Sequence, residues 1–434
     1  MQTASKKVIN GWAMYDWANS VYNLVITTTF FPIYFTEATK DAFKSDDIPF
    51  LGRTISNSAL YTYSVAAAYF IISILYPFLT SIADSRGNKK KFMQFFCYIG
   101  ALGCSALYFF KGENVLWGVS FFMLAAIGYC GSLVFYNSYL PEIAAEEDRD
   151  RISARGYSYG YIGSVLLQLI GFALVLILPS AGEATRITFL LTGLWWFGFA
   201  QLTFRVLPVS TPAAQKNNAS LFKESIGEIK KVYQQVKQMP VLKRFLRGFF
   251  FYSMGVQTVM LAATLFGSKV LGLTTTKLIV TVVIIQLVAI IGAWVMSRLS
   301  SVYGNLKVLI GVVVLWIVIC VAAYYTAVLK EQGTDPEFHF YGLAVAVGLV
   351  MGGIQSLSRS TYSKLMPETK DTASFFSYYD LTEKIAIVIG MFSFAYIDEL
   401  TGNMKQSVLS LIVFFVIGLI WLYSALYKQR QKAS

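Results

Sequence analysis

Residues 12–35 read WAMYDWANSVYNLVITTTFFPIYF. A helix that crosses the hydrocarbon core needs about twenty mostly apolar residues, and this run is long enough. It nevertheless carries Asp16, two asparagines and a file of hydroxyls. An aspartate at the centre of a span costs roughly 2.5–3.5 kcal/mol on insertion scales. The polar residues are not scattered. Asp16, Asn19, Ser20, Asn23 and Thr27 fall at i, i+3, i+4, i+7 and i+11, one face of an α-helix. Such a face must look toward other helices or a wet cavity. Plain interhelical hydrogen bonding, worth about 0.6 kcal/mol per contact, is the alternative to a functional cavity.

The rest of the chain supplies the helices it would face. Of 434 residues, 56% are hydrophobic and 14% charged, with a mean hydropathy of +0.56. A soluble domain carries nearer a quarter charged residues, so the composition is that of an integral membrane protein. Twelve apolar runs, the first at 10–36 and the last at 405–427, predict twelve spans. With both termini placed in the cytoplasm, roughly three in four Lys and Arg residues fall on cytoplasmic segments, the asymmetry of the positive-inside rule. The net charge of +12 is therefore read as topogenic and lipid-facing, not as a nucleic-acid surface. The first run lacks a small-residue cleavage site and is expected to stay as a permanent helix. Cys97, Cys104, Cys130 and Cys320 lie inside apolar runs without metal or disulfide spacing, and His339 lies in an expected external loop. No cofactor or metal is expected. The absence of a nucleophile–base set or a phosphate-binding loop argues against an enzyme.

Two halves are expected, 1–207 and 243–434, around a linker at 208–242. GWAMYD (11–16) aligns with GFFFYS (248–253), and YNSYLPE (136–142) with TYSKLMPE (361–368), as in duplicated transporter folds. Within the linker, Phe222, Ile226, Ile229, Tyr233 and Val236 share one helical face, while Lys223, Lys230, Lys231 and Lys237 lie mostly elsewhere. A basic amphipathic helix of this kind is expected on the membrane surface. Other spans carry their own polar stripes: Tyr157, Tyr161, Ser164 and Gln168; Gln257 in the seventh; Gln355, Ser358, Arg359 and Tyr362 in the tenth. In the eleventh, the Asp380–Lys384 spacing is that of an intrahelical ion pair. That would leave Glu383 as the uncompensated acid, and a partly desolvated carboxylate takes up a proton more readily.

The turn TSIADSRGNKKK (80–91) resembles the signature loop of the major facilitator superfamily, with Asp84, Gly87, Lys89 and Lys90 in place and Thr80, Ser85 and Asn88 departing from it. That resemblance assigns Asp84, Gly87 and Lys89 to gating, with Arg155 grouped beside them; topogenic charge is the alternative. The equivalent loop, SRLSSVYGNLK (297–307), keeps Gly304 and Lys307 but has Ser301 where the acid would be. The runs YDWANSVYN, YNSYLPEI, RISARGYSYGYIGS, GGIQSLSRSTYSKLMPE and SFFSYYDLTEKIAIVIG together resemble the vacuole-effluxer-like branch of that superfamily. Met254 stands where such sequences often carry an acid. The resemblance implies an all-α, twelve-helix transporter in two six-helix bundles, set in a bacterial inner membrane as a monomer. The expected function is proton-coupled secondary transport of an amino acid or similar zwitterion. Asp16, Asn19, Asn23, Tyr161, Gln257, Gln355, Arg359, Asp380 and Glu383 are the candidate substrate and coupling residues. A permease for sugar- or peptide-containing fragments, or a non-transporting receptor on the same fold, are the alternatives.

Overall fold

The computed structural model describes residues 2–209 and 221–433. Its first helix is continuous but not uniform. α1 (Lys6–Val21) runs into a π-helical stretch (Tyr22–Phe30) and then α2 (Phe31–Phe43), with Pro32 at their junction, where its missing N–H leaves a carbonyl of the preceding turn without a backbone donor. A two-stranded hairpin follows, β1 (Asp47–Phe50) with β2 (Arg53–Ser56), an element the sequence pattern did not announce. Then come α3 (Asn57–Arg86), α4 (Lys89–Ala106), α5 (Val115–Ser138), the one-turn α6 (Leu140–Ile143), α7 (Arg149–Ile177) and α8 (Ala181–Val206). The second half comprises α9 (Leu221–Gln238), α10 (Pro240–Leu265), α11 (Thr275–Tyr303), α12 (Asn305–Glu331), α13 (Glu337–Leu365), α14 (Thr372–Thr401) and α15 (Met404–Ala433).

Among the described residues, nine helices are long and apolar enough to cross a membrane, and ten if the bent pair Pro240–Met260 and Ala262–Val270 is one span. The two remaining long segments of the expected twelve are the first, Lys6–Phe43, and α14. They are the two that carry Asp16 and the Asp380–Glu383–Lys384 group, so the polar residues themselves lower their apolarity.

Packing sorts the helices into two sets. α1 lies against α7 and α8, and α4 against α5 and α8; α10 lies against α14 and α15, and α11 against α13. Small residues let backbones approach closely, as is usual between helices in lipid. A Cβ on Gly348 would lie 2.6 Å from the Ile285 carbonyl oxygen, so α11 and α13 tolerate nothing larger there. The sets meet chiefly where α7 touches α11 and α13, and where α3 and α5 touch α14.

The linker helix departs from expectation. The loop at 210–220 lies outside the described residues, as do the side chains of Phe222, Ile226 and Ile229. α9 packs against α3, α10 and α14, with Val232 and Val236 buried and Tyr233 exposed. Lys231 reaches Asp371 at 2.7 Å. The burying surface for the described part of α9 is therefore the end of the bundle.

Candidate functional site

The π-helical stretch sets the geometry of the first helix. Widening from 3.6 residues per turn frees carbonyls that an α-helix would satisfy. Side chains take their place: Leu24 O accepts from Thr28 Oγ1 (2.9 Å), Thr29 Oγ1 (2.8 Å) and Gln168 Nε2 (2.7 Å), and Thr27 O accepts from Tyr61 (2.7 Å). The hydroxyl file TTT is thus partly structural. The change of pitch also breaks the polar stripe, so Asp16, Ser20 and Asn23 line a central cavity while Thr27 does not. Asn19, a further 60° or so around the helix from Asp16, is fully buried away from the cavity, its amide atoms unpartnered.

The cavity has a volume of about 110 Å³ and draws its wall from α1, α3, α5, α7, α10, α13 and α14. Tyr161, Gln257, Gln355, Arg359, Asp380 and Glu383 all line it, as do Tyr69, Tyr76, Tyr129, Tyr157, Tyr379, Asn137 and Lys384. In its wall one carboxylate oxygen of Asp16 accepts from Tyr136 (2.7 Å) and from Arg359 Nη1 (3.2 Å). Arg359 is 1% exposed. Its Nε donates to Ser153 Oγ (2.9 Å), Nη2 to Ser153 O (2.9 Å) and Nη1 also to Asn137 Oδ1 (3.3 Å). Its guanidinium lies 4.2 Å from the Tyr157 ring centroid and 4.9 Å from that of Trp12, a cation–π setting that suits a planar, weakly hydrated cation. This pair joins α1 to α13, two helices from the two sets.

The second charged group overturns one expectation. Lys384 pairs with its neighbour Glu383 at 2.9 Å and not with Asp380. Gln257 donates to the other Glu383 oxygen at 3.2 Å. Among the described residues, Asp380 is thus the cavity acid without an ion pair, and its Oδ2 is buried with no hydrogen-bond partner. Gln355 donates to Met260 Sδ at 3.8 Å.

Two clusters tie the sets together at the end that carries residues 2–5. Gly87 ends α3 in the left-handed region (φ 64°), which turns the chain sharply into α4. Asp84 then faces the N-terminus of α14: Ala373 N and Ser374 N donate to it at 3.3 and 2.8 Å, and Ser374 Oγ at 2.9 Å. A carboxylate at a helix N-terminus meets free N–H groups and the positive end of the dipole. Lys89, buried, sits 3.3 Å from Asp84 and bridges Glu142 and Thr372. The second cluster surrounds Asp150, which accepts from Ser300, Asn305 and Lys364, each at 2.7 Å. Arg149 adds a bond to Ser363 O at 2.7 Å. Arg155, grouped with the gate on sequence grounds, instead donates to Asn10 of α1 at 2.8 Å, so it does not bridge the sets. Asp150 was overlooked, and a signal for it existed. The loop at 297–307 has Ser301 in place of an acid, and the missing charge stands on the other side of the contact.

Known proteins agree with this architecture. Residues 4–434 match the family model described as vacuole effluxer Atg22 like. The chain is 32% identical to the MFS-type transporter YxiO of Bacillus subtilis over 95% of its own length and 93% of that protein's. It is 25% identical to autophagy-related protein 22 of Eremothecium gossypii, over 99% and 92%. Among solved structures, the human organic anion transporter MFSD10 (TETRAN) superposes with a TM-score of 0.75 at 11% identity, covering 96% of this chain and 99% of that one. The proton:xylose symporter XylE gives 0.70 at 13%, over 98% and 95%. The chain is a multi-pass membrane protein that belongs to the vacuole effluxer Atg22-like family of major facilitator transporters.

Proposed function

We propose that this secondary transporter moves an amino acid or a similar small zwitterion, coupled to protons, by alternating access of two halves, 1–207 and 243–434, joined by the linker at 208–242. All twelve long helical segments then cross the membrane, with both termini in the cytoplasm. In a bacterial cell the host membrane is the inner one, and a single chain suffices. The observation that carries the proposal is the Asp16–Arg359 pair, buried in the cavity wall between the halves.

A buried ion pair is close to break-even against its desolvation. A solute carboxylate that reaches Arg359 in the bidentate manner open to a guanidinium competes with Asp16. Asp16, once released, is the group that accepts a proton. Trading one partner for another keeps Arg359 compensated throughout. With Asp84 and Asp150 both engaged, the halves are held together at the terminal end. Lys364 lies five residues beyond Arg359 on α13, about 7–8 Å along the axis, so both clusters stand between that end and the cavity. The family name, an effluxer, supports export as the direction.

At 110 Å³ the cavity is smaller than the ~150 Å³ that takes a benzene ring, so it must widen to admit an amino acid and is much further from admitting a disaccharide. The tyrosine-rich wall, suited to stacking on sugar rings, is the one observation in favour of carbohydrate-containing solutes. The test is flux of labelled amino acids into proteoliposomes with and without a pH gradient. Asp16→Asn is expected to fold and insert, yet to lose the gradient-driven component. Gradient-driven flux at the wild-type level in that variant overturns the proposal.

A further inference from the structure

Five charged side chains line the cavity: Asp16, Arg359, Asp380, Glu383 and Lys384. Four cancel as pairs, Asp16 with Arg359 at 3.2 Å and Glu383 with Lys384 at 2.9 Å. Asp380 remains. It is 4% exposed, and its Oδ2 has no hydrogen-bond partner. An ionised carboxylate in a low-dielectric site is costly unless something positive joins it. Lys384 lies one helical turn along α14, about 6 Å by rise, but its ammonium is committed to Glu383. Of the other elements around Asp380, α3 brings Tyr76, α5 brings Asn137, and α13 brings Tyr362 and the already paired Arg359. None of these supplies a free cation.

We infer that Asp380 is the seat for a positively charged amino group of the transported solute, and that the cavity, whose own charges leave one acid over, prefers solutes with a net positive charge. This rests on the transport reading of the same cavity and sharpens it. Asp16 and Glu383 are internal counter-ions, so neither recognises the amino group. Basic amino acids bind more tightly than neutral ones, and acidic ones are rejected. A zwitterion is held at Asp380 by its ammonium, with its carboxylate left to compete for Arg359.

The test is the melting temperature of the purified protein at one fixed pH, alone and with lysine, leucine or glutamate. A ligand that binds only the folded state raises stability by mass action, a shift of about 3 °C at ~100 times Kd for a chain of this size. Lysine is expected to stabilise the wild type more than leucine, and glutamate not at all. Asp380→Asn, an isostere, loses both shifts, and Asp380→Glu, which keeps the charge, retains that of lysine. Lysine or leucine shifts that persist in Asp380→Asn overturn the inference and leave the transport reading standing. Stabilisation by glutamate alone overturns the inference and leaves the transport reading standing. If none of the three shifts the wild type, the inference is overturned.

Discussion

Gly156 offers a direct way to break the central ion pair without touching either charge. It faces the pair from α7. A Cβ placed there would lie 2.5 Å from the Asp16 Oδ2, 2.9 Å from Arg359 Nη2 and 2.9 Å from the Tyr136 hydroxyl. Ordinary contact begins near 3.4 Å, so Gly156→Ala must drive the carboxylate oxygen back by about 0.9 Å. The Arg359 side has little room to follow, because Ser153 and Asn137 hold its nitrogens and Tyr157 covers its face. Stretching the 3.2 Å contact to about 4.1 Å loses about 1 kcal/mol of Coulomb energy at an effective dielectric of 20. Losing a hydrogen bond to a charged group adds about 1.5–3 kcal/mol. The expected total is about 2.5–4 kcal/mol, a fall of roughly 3–4 °C in melting temperature for 434 residues. Transport in proteoliposomes is expected to lose its gradient-driven part, as in Asp16→Asn. Gly156→Ala with wild-type flux and an unchanged melt refutes the argument, because the pair would then be neither tight nor needed.

Gly198 of α8 is the matched control: nothing lies within 4 Å of its Cβ position. Gly198→Ala is expected to be neutral or to stabilise by up to about 1 kcal/mol, since Gly is the poorer helix former, and a loss of flux would show that glycine content matters more than position. At the terminal end, Asp84→Asn removes the charge that caps α14 and compensates Lys89. In a cysteine-replaced background, a reporter cysteine at Tyr157 is expected to react several-fold faster with a polar thiol reagent in that variant. Asp150→Asn is expected to do the same by releasing Ser300, Asn305 and Lys364. An unchanged rate in both means the clusters do not hold the closed arrangement.

What the sequence made readable was whatever depends on periodicity and on a local turn. The helical runs, the polar faces of α1, α13 and α14, and the Gly87 turn all follow from residue order alone. The pairings did not, and for physical reasons. Spacing favours Asp380–Lys384 over Glu383–Lys384, because i and i+1 diverge around a helix. The long lysine stem overrides that preference when the cavity wall turns its ammonium toward Glu383. The π-helical stretch carries no signature in composition, so the face predicted at i+11 was lost with the change of pitch. Tyr136, Asn137 and Ser153 read as ordinary helix residues. Only the fold, which brings α5 and α7 to Arg359, makes them its cradle.

The aspartate in the first helix is thus accounted for by a cation contributed from 343 residues away. The arrangement is also suited to switching. Replacing a buried pair by well-packed apolar residues is often neutral or stabilising, so a pair such as Asp16–Arg359 adds little net stability to either conformation. What it penalises is an intermediate in which one charge has lost its partner. That is the property a coupled transporter needs at its centre. Conformations that differ by a few kcal/mol can be exchanged by a ligand only to the extent that it binds one better than the other. A solute that replaces Asp16 at Arg359, with a proton on the released acid, supplies such a difference. Either event alone leaves a charge exposed to low dielectric, and that penalty is what links the two.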